Sequence, residues 1–273
     1  MSALAALFLG AVQGFAELFP LSSLGILVVL PHAVPLSFNI AAARYLPFVT
    51  ALHVATALAL LIYFWRDWVR LVAGWLRSLA GHENRDGTLF WMLIVGTIPA
   101  GLLGIALKHQ ITRLFDYPLT AAIFLVVNGL ILLGANRMVK GRRKGRGLEG
   151  IGVGSALLVG VFQMFALLPG LSRSGLAMTG GLRVGLNLED SARFAFLLAT
   201  PIIGAAGLVE VPHLLHHHQA GALLVPAVLG AIAAGVVAWF STRYLLRYFE
   251  RGNLRGLGIL SLVIGVLSIL IVH

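Results

Sequence analysis

Gly10-Ala11-Val12-Gln13-Gly14-Phe15-Ala16-Glu17-Leu18-Phe19-Pro20-Leu21-Ser22-Ser23-Leu24-Gly25 returns 150 residues later as Gly160-Val161-Phe162-Gln163-Met164-Phe165-Ala166-Leu167-Leu168-Pro169-Gly170-Leu171-Ser172-Arg173-Ser174-Gly175. Eight of the sixteen aligned positions are identical, without a gap. Each copy is an apolar helical run that breaks at Pro and resumes as a Ser/Gly-rich turn. The polar cargo differs: Glu17 belongs to the first copy and Arg173 to the second.

The composition around this repeat excludes a soluble domain. Of the 273 residues, 59% are hydrophobic and 11% charged, and mean hydropathy is +0.95. Six apolar runs, about 47–65, 89–107, 118–135, 192–210, 221–240 and 256–272, approach the roughly 20 residues a helix needs to cross a bilayer. The chain contains no Cys, so disulfides, thiolate catalysis and zinc thiolate sites are ruled out. The N-terminal run has no Lys or Arg ahead of it and is interrupted by Glu17, so it is expected to be retained rather than cleaved as a signal. The net charge of +10 points, in a chain this apolar, to loops facing anionic lipid and not to nucleic acid.

Two further apolar stretches, about 3–30 and 152–182, contain the repeat, and their halves are too short to span alone. Irregular backbone at membrane depth is tolerated only where protein buries it or a cavity is wetted, so both read as re-entrant hairpins. Loop charges agree with this. If both hairpins return to their own side, the loops 66–88, 136–150 and 241–255 share one side and hold fourteen Lys or Arg. The opposite side keeps only Arg44, Lys108 and Arg113. By the positive-inside rule the rich side is cytoplasmic and both termini lie outside.

The fold class that follows is an all-α integral membrane protein: six transmembrane helices plus two re-entrant hairpins in two inverted-topology repeats. It forms a single membrane domain over 1–273, with repeat one at about 1–135, a basic loop at 136–150 and repeat two at 151–273. Inverted repeats place a shared site near the midplane, lined by the broken helices. Glu17 and Arg173 are expected to meet there.

Both are functional candidates, because an ionisable group at lipid depth is costly unless paired or functional. Glu17 could act as a general base or as a ligand to a divalent cation that bridges phosphate oxygens. Arg173 offers a planar fork that matches two phosphate oxygens, with Ser172, Ser174 and freed backbone N–H groups completing an anion cradle. Ser22 and Ser23 are candidates for hydrogen bonding or nucleophilic attack. Gln13, one turn before Glu17, could orient it. His53 lies inside the first span and serves equally well as a site residue or an interhelical hydrogen-bond partner. The tract His213-Leu-Leu-His216-His217-His218 reads as a solvated loop rather than a metal site.

These motifs resemble the undecaprenyl-diphosphate phosphatases, also called bacitracin-resistance proteins. Gln13 through Ser23 resembles the family's first motif and Pro169 through Gly175 its second. Tyr63-Phe-Trp-Arg66-Asp67, Gly96-Thr-Ile-Pro99-Ala100 and Ala192-Arg193-Phe-Ala-Phe also look familial. The resemblance implies an enzyme of the bacterial plasma membrane that removes the terminal phosphate of a polyprenyl diphosphate carrier used for wall polymers. It also implies dependence on a divalent cation, Mg²⁺ or Ca²⁺. Glu17 would hold the essential acid position, Arg173 the phosphate clamp and Ser23 the candidate hydroxyl. The expected partners are the lipid substrate and membrane lipids, with a second copy of the chain a candidate and nucleic acid excluded. Several positions depart from the family pattern: Leu24, Ile26 and Ala177 stand where typical members carry Thr, His and Thr, and Val49 stands where an acidic residue is often found. Either Ser23, activated through Glu17, is the nucleophile without that His, or the chain is a degenerate paralogue. A non-hydrolytic transporter or flippase for a polyprenyl phosphate is the alternative from another class.

Overall fold

The computed structural model describes residues 1–34, 46–140, 145–216 and 220–273. The described residues are overwhelmingly helical. The first broken stretch forms α1 (Ala3–Leu18) and α2 (Ser23–Ala33), and the second forms α8 (Val153–Met164) and α9 (Arg173–Arg183). Between them lie α3 (Leu46–Tyr63), α4 (Trp65–Leu79), α5 (Arg85–Ala106), α6 (Lys108–Leu114) and α7 (Pro118–Lys140). The chain closes with α10 (Leu188–His216), α11 (Ala220–Glu250) and α12 (Arg255–Val272).

Four of these helices, α5, α7, α11 and α12, are long and apolar enough to cross a membrane, or five if the bent pair α3–α4 counts as one. The protein is therefore a multi-pass membrane protein. The six apolar runs each fall on one of the long helices α3, α5, α7, α10, α11 and α12. The helices run further than the runs did: α10 begins at Leu188 and continues to His216, and α11 continues to Glu250. His213 and His216 thus fall within a helix and not a loop, while His217 and His218 lie outside the described residues.

The stretch 66–88 is not simply a loop. The chain bends by 78° between α3 and α4, and α4 is strongly amphipathic. Its Trp65, Val69, Val72, Leu76 and Leu79 are exposed, whereas Leu71 and Gly74 are buried. An exposed apolar stripe flanked by Arg66, Arg70 and Arg77 suits a helix lying in the membrane–water interface. Asp67 at its start accepts from Arg70 and, at 2.6 Å, from Arg193 of α10, which ties the bend to the core.

The centre of the molecule is α9 and α10. Every residue from Ser174 to Leu182 is buried, and α10 buries Ala192 and Phe194 to Ala199 around its whole circumference. A helix buried on all faces must be small where neighbours cross it. Gly175 accordingly abuts Pro20, Gly180 abuts Val159 and Phe162, and Gly181 abuts Ser191.

Each broken helix packs against a helix from the other half of the chain. On α1, Gly10 and Gly14 lie against the backbone of Gly230 and Ala234 on α11. On α8, Gly160 lies against the carbonyl of Gly96 and the ring of Pro99 on α5. Gly10 and Gly160 occupy the same position of the repeated motif, so the repeat in sequence is also a repeat in packing.

Candidate functional site

The two breaks meet. Ser22, at the N-terminus of α2, has φ +62°, a conformation few non-glycine residues adopt. Its Oγ accepts from Gly25 N–H at 3.3 Å within its own helix and from Gly170 N–H at 3.2 Å in the other break. Gly170 itself has φ +105°, and its Cα lies against Gly25. Sequence reading did not single out Asn128 of α7, which clamps both breaks from the third side. Its Nδ2 donates to the Pro20 carbonyl at 2.8 Å and to Ser261 at 3.0 Å, and its Oδ1 accepts from Ser172 N–H at 3.0 Å. A fully buried Asn in the middle of an apolar span was the available signal. Asn128→Ala is expected to destabilise the protein by about 1–3 kcal/mol for each backbone group left unpaired. A melting temperature in detergent equal to that of the parent chain would refute the clamp.

This clamp brings the N-termini of α2 and α9 into one cavity of about 340 Å³. Helix N-termini offer unpaired N–H groups and a positive dipole end, which suits an anion. Glu17, at the end of α1, sits where these elements converge. Its Oε1 accepts from Arg173, and its Oε2 accepts from Ser23 Oγ at 2.5 Å and from Gln13 Nε2 at 3.0 Å. Arg173 donates its other terminal nitrogen to the Ala199 carbonyl of α10 at 3.2 Å, so the guanidinium is held at both ends. His53 of α3 completes the group. Its Nδ1–H donates to the Val49 carbonyl at 2.9 Å, which turns Nε2 toward Glu17 Oε2 at 3.5 Å.

Glu17, Ser22, Ser23, His53, Ser172 and Arg173 all line the cavity. Gln13 lies behind Glu17, fully buried. Ser174 does not line it: its Oγ is 3.1 Å from Ser172 Oγ, which also caps α9 by accepting from Gly175 N–H. Of the departing positions, Leu24 lines the cavity. Ile26 packs on the apolar core and Ala177 is buried within it. The imidazole beside the carboxylate comes instead from α3. Thr50 and Gln163 add two more polar side chains, and the rest of the lining is apolar, including Val54, Ala100, Leu167 and Ile202.

Among the described residues, no three His, Asp or Glu side chains form a cage for a metal ion. Beside the carboxylate the cavity offers the Ser23 hydroxyl, 2.5 Å away, whereas Gln13 Oε1, buried without a hydrogen-bond partner among the described residues, does not line it. That set fits a hard divalent cation that takes most of its ligands from phosphate and water, the usual habit of Mg²⁺.

The family model for bacitracin resistance protein BacA matches residues 6–267. An undecaprenyl-diphosphatase of Acidiphilium cryptum is 46% identical over 265 residues, 94% of this chain and 93% of the relative. Undecaprenyl-diphosphatase 2 of Chromobacterium violaceum is 42% identical over 273 residues, 99% of each. Undecaprenyl-diphosphatase 2 of Burkholderia thailandensis is 44% identical over 260 residues, 95% of this chain and 93% of the relative.

Proposed function

The chain belongs to the bacitracin resistance protein BacA family, and from that premise we propose that it is an undecaprenyl-diphosphatase of the bacterial plasma membrane. It hydrolyses undecaprenyl diphosphate to undecaprenyl phosphate and inorganic phosphate, returning the lipid carrier for wall synthesis. The observation that carries this reading is one hydrogen-bonded set: Ser23 Oγ–H donates to a carboxylate that Arg173 also holds, at two converging helix N-termini.

The diphosphate enters between the N-termini of α2 and α9, and the isoprenoid tail lies along the apolar part of the cavity. Arg173 turns part of its fork from Glu17 to the phosphate oxygens. Glu17 takes the Ser23 proton as the Ser23 oxygen bonds to the terminal phosphorus, and the bond from that phosphorus to the bridging oxygen breaks. Undecaprenyl phosphate leaves. Water then adds to the phosphoserine phosphorus, the bond from that phosphorus to the Ser23 oxygen breaks, and Glu17 returns its proton to that oxygen, so that inorganic phosphate leaves with the water's oxygen and protons and both side chains are restored. His53, held by Val49, keeps its Nε2 3.5 Å from the carboxylate oxygen. A Mg²⁺ or Ca²⁺ ion, held by Glu17, would neutralise charge on the diphosphate. Phosphoryl transfer depends chiefly on positioning and charge stabilisation, so an isoleucine at position 26 does not preclude it.

In this reading the two broken stretches are re-entrant hairpins of an inverted repeat, six helices span, both termini lie outside and the cavity opens outward. The meeting of the breaks and the exchange of packing partners, α1 on α11 and α8 on α5, support that arrangement.

Phosphate release from undecaprenyl diphosphate by the purified protein in detergent tests the reading. Glu17→Gln and Ser23→Ala are each expected to lower turnover by about 10³-fold. Turnover in either variant equal to the parent's would end this assignment of roles. Absence of phosphate release from the parent protein, with lipid phosphate moved across vesicles, would favour transport instead.

A further inference from the structure

Gln163 is 1% exposed and lines the cavity together with Glu17, Ser23 and Arg173. Neither its amide nitrogen nor its amide oxygen has a hydrogen-bond partner among the described residues. The repeat explains why. Gln163 is the counterpart of Gln13, whose Nε2 donates to Glu17 one turn later. One turn after Gln163 stands Leu167, so the second copy retains the amide and lacks its acceptor. A buried amide with no partner is costly, and an apolar residue of the same shape would suit the fold better.

We propose that Gln163 is a substrate-contacting residue that donates its amide N–H groups to phosphate oxygens of the lipid diphosphate. The inference rests on the diphosphatase reading above. The chemistry selects this occupant: Arg173 and two helix N-termini already make the cavity an anion site, and what a diphosphate needs from its walls is donors. Glu17 can only accept. Gln163 supplies two N–H donors without adding charge, in a lining that also contains the apolar Ala100, Leu167 and Ile202.

Gln163→Leu and Gln163→Glu test this in the full chain. Gln163→Leu is expected to raise KM for undecaprenyl diphosphate at least tenfold, to change kcat less than threefold, and to leave the melting temperature unchanged or higher. Gln163→Glu, of nearly the same shape but offering acceptors to an anion, is expected to raise KM further than Leu does. A purely structural role predicts the opposite pairing, with lower melting and unchanged KM. KM within twofold of the parent in both variants would overturn the proposal. So would failure of Gln163→Leu to fold, since a side chain without protein partners has none to lose. If the parent protein releases no phosphate, the diphosphatase reading fails on its own account. Equilibrium binding of farnesyl diphosphate then decides: a tenfold loss in Gln163→Leu upholds the contact, and equal affinity overturns it.

Discussion

Arg173→Ala is expected to lower phosphate release from undecaprenyl diphosphate by about 10⁴-fold, within the range an arginine contributes to phosphoryl transfer. The substitution removes the fork that Glu17 and the Ala199 carbonyl hold in place. It also leaves the nearly buried Glu17 carboxylate with only Ser23, Gln13 and His53 beside it, and losing one partner of a buried ion pair costs about 3–5 kcal/mol. Reduced folding could imitate reduced catalysis, so the informative comparison is the double variant Glu17→Gln/Arg173→Ala. It should melt higher than Arg173→Ala, because the stranded charge is gone, yet remain as inactive. Arg173→Lys keeps the charge but loses the planar fork, and intermediate turnover is expected. If Arg173→Ala turned over at the parent's rate, the proposed site would be wrong.

The second large effect concerns the backbone. Gly170 lies at φ +105°, and a Cβ there would stand 2.3 Å from the Ala121 carbonyl oxygen and 2.6 Å from Phe124 Cβ. Gly170→Ala therefore faces overpacking of about 1–3 kcal/mol and a left-handed backbone penalty of about 1–2 kcal/mol. Relief requires the break to move away from α7. Movement there shifts Ser172 and Arg173 and pulls the Gly170 N–H from Ser22 Oγ. Both melting temperature and turnover should fall. Gly101→Ala on α5 is the control: its Cβ would meet nothing within 4 Å, and exchanging Gly for Ala inside a helix gains up to about 1 kcal/mol. Equal melting of the two variants would show that the break is not held as described.

The poles of this site were legible in the sequence because chemistry and pattern coincided. Glu17 and Arg173 were the charged residues at matched breaks in a duplicated apolar helix, and the structure pairs them. Ser23 followed from its place beside the break. Other features depend on contacts distant in sequence. Asn128 reads as one polar residue in an apolar span, and its role appears only when Pro20 and Ser172 arrive beside it. The bend at Phe64 carries no Pro or Gly. What marks it is the change from the uniformly apolar α3 to the amphipathic α4, a contrast easily absorbed into a charged loop. The isolation of Gln163 was hidden because an identical match to Gln13 suggested an identical job, although the residue four places on decided otherwise.

The crossed packing of α1 on α11 and α8 on α5 dictates when this protein becomes complete during synthesis. Helix α1 leaves the ribosome first, but its partner α11 follows about 200 residues later. At roughly 5–20 residues per second this delay is on the order of 10–40 s. Throughout most of it Glu17 has no guanidinium to meet, since Arg173 has yet to be translated. Until the second half arrives, the chain therefore carries a carboxylate without the guanidinium it meets in the folded protein, a costly group in lipid. Chains that terminate before α11 lack the surface against which Gly10 and Gly14 of α1 pack.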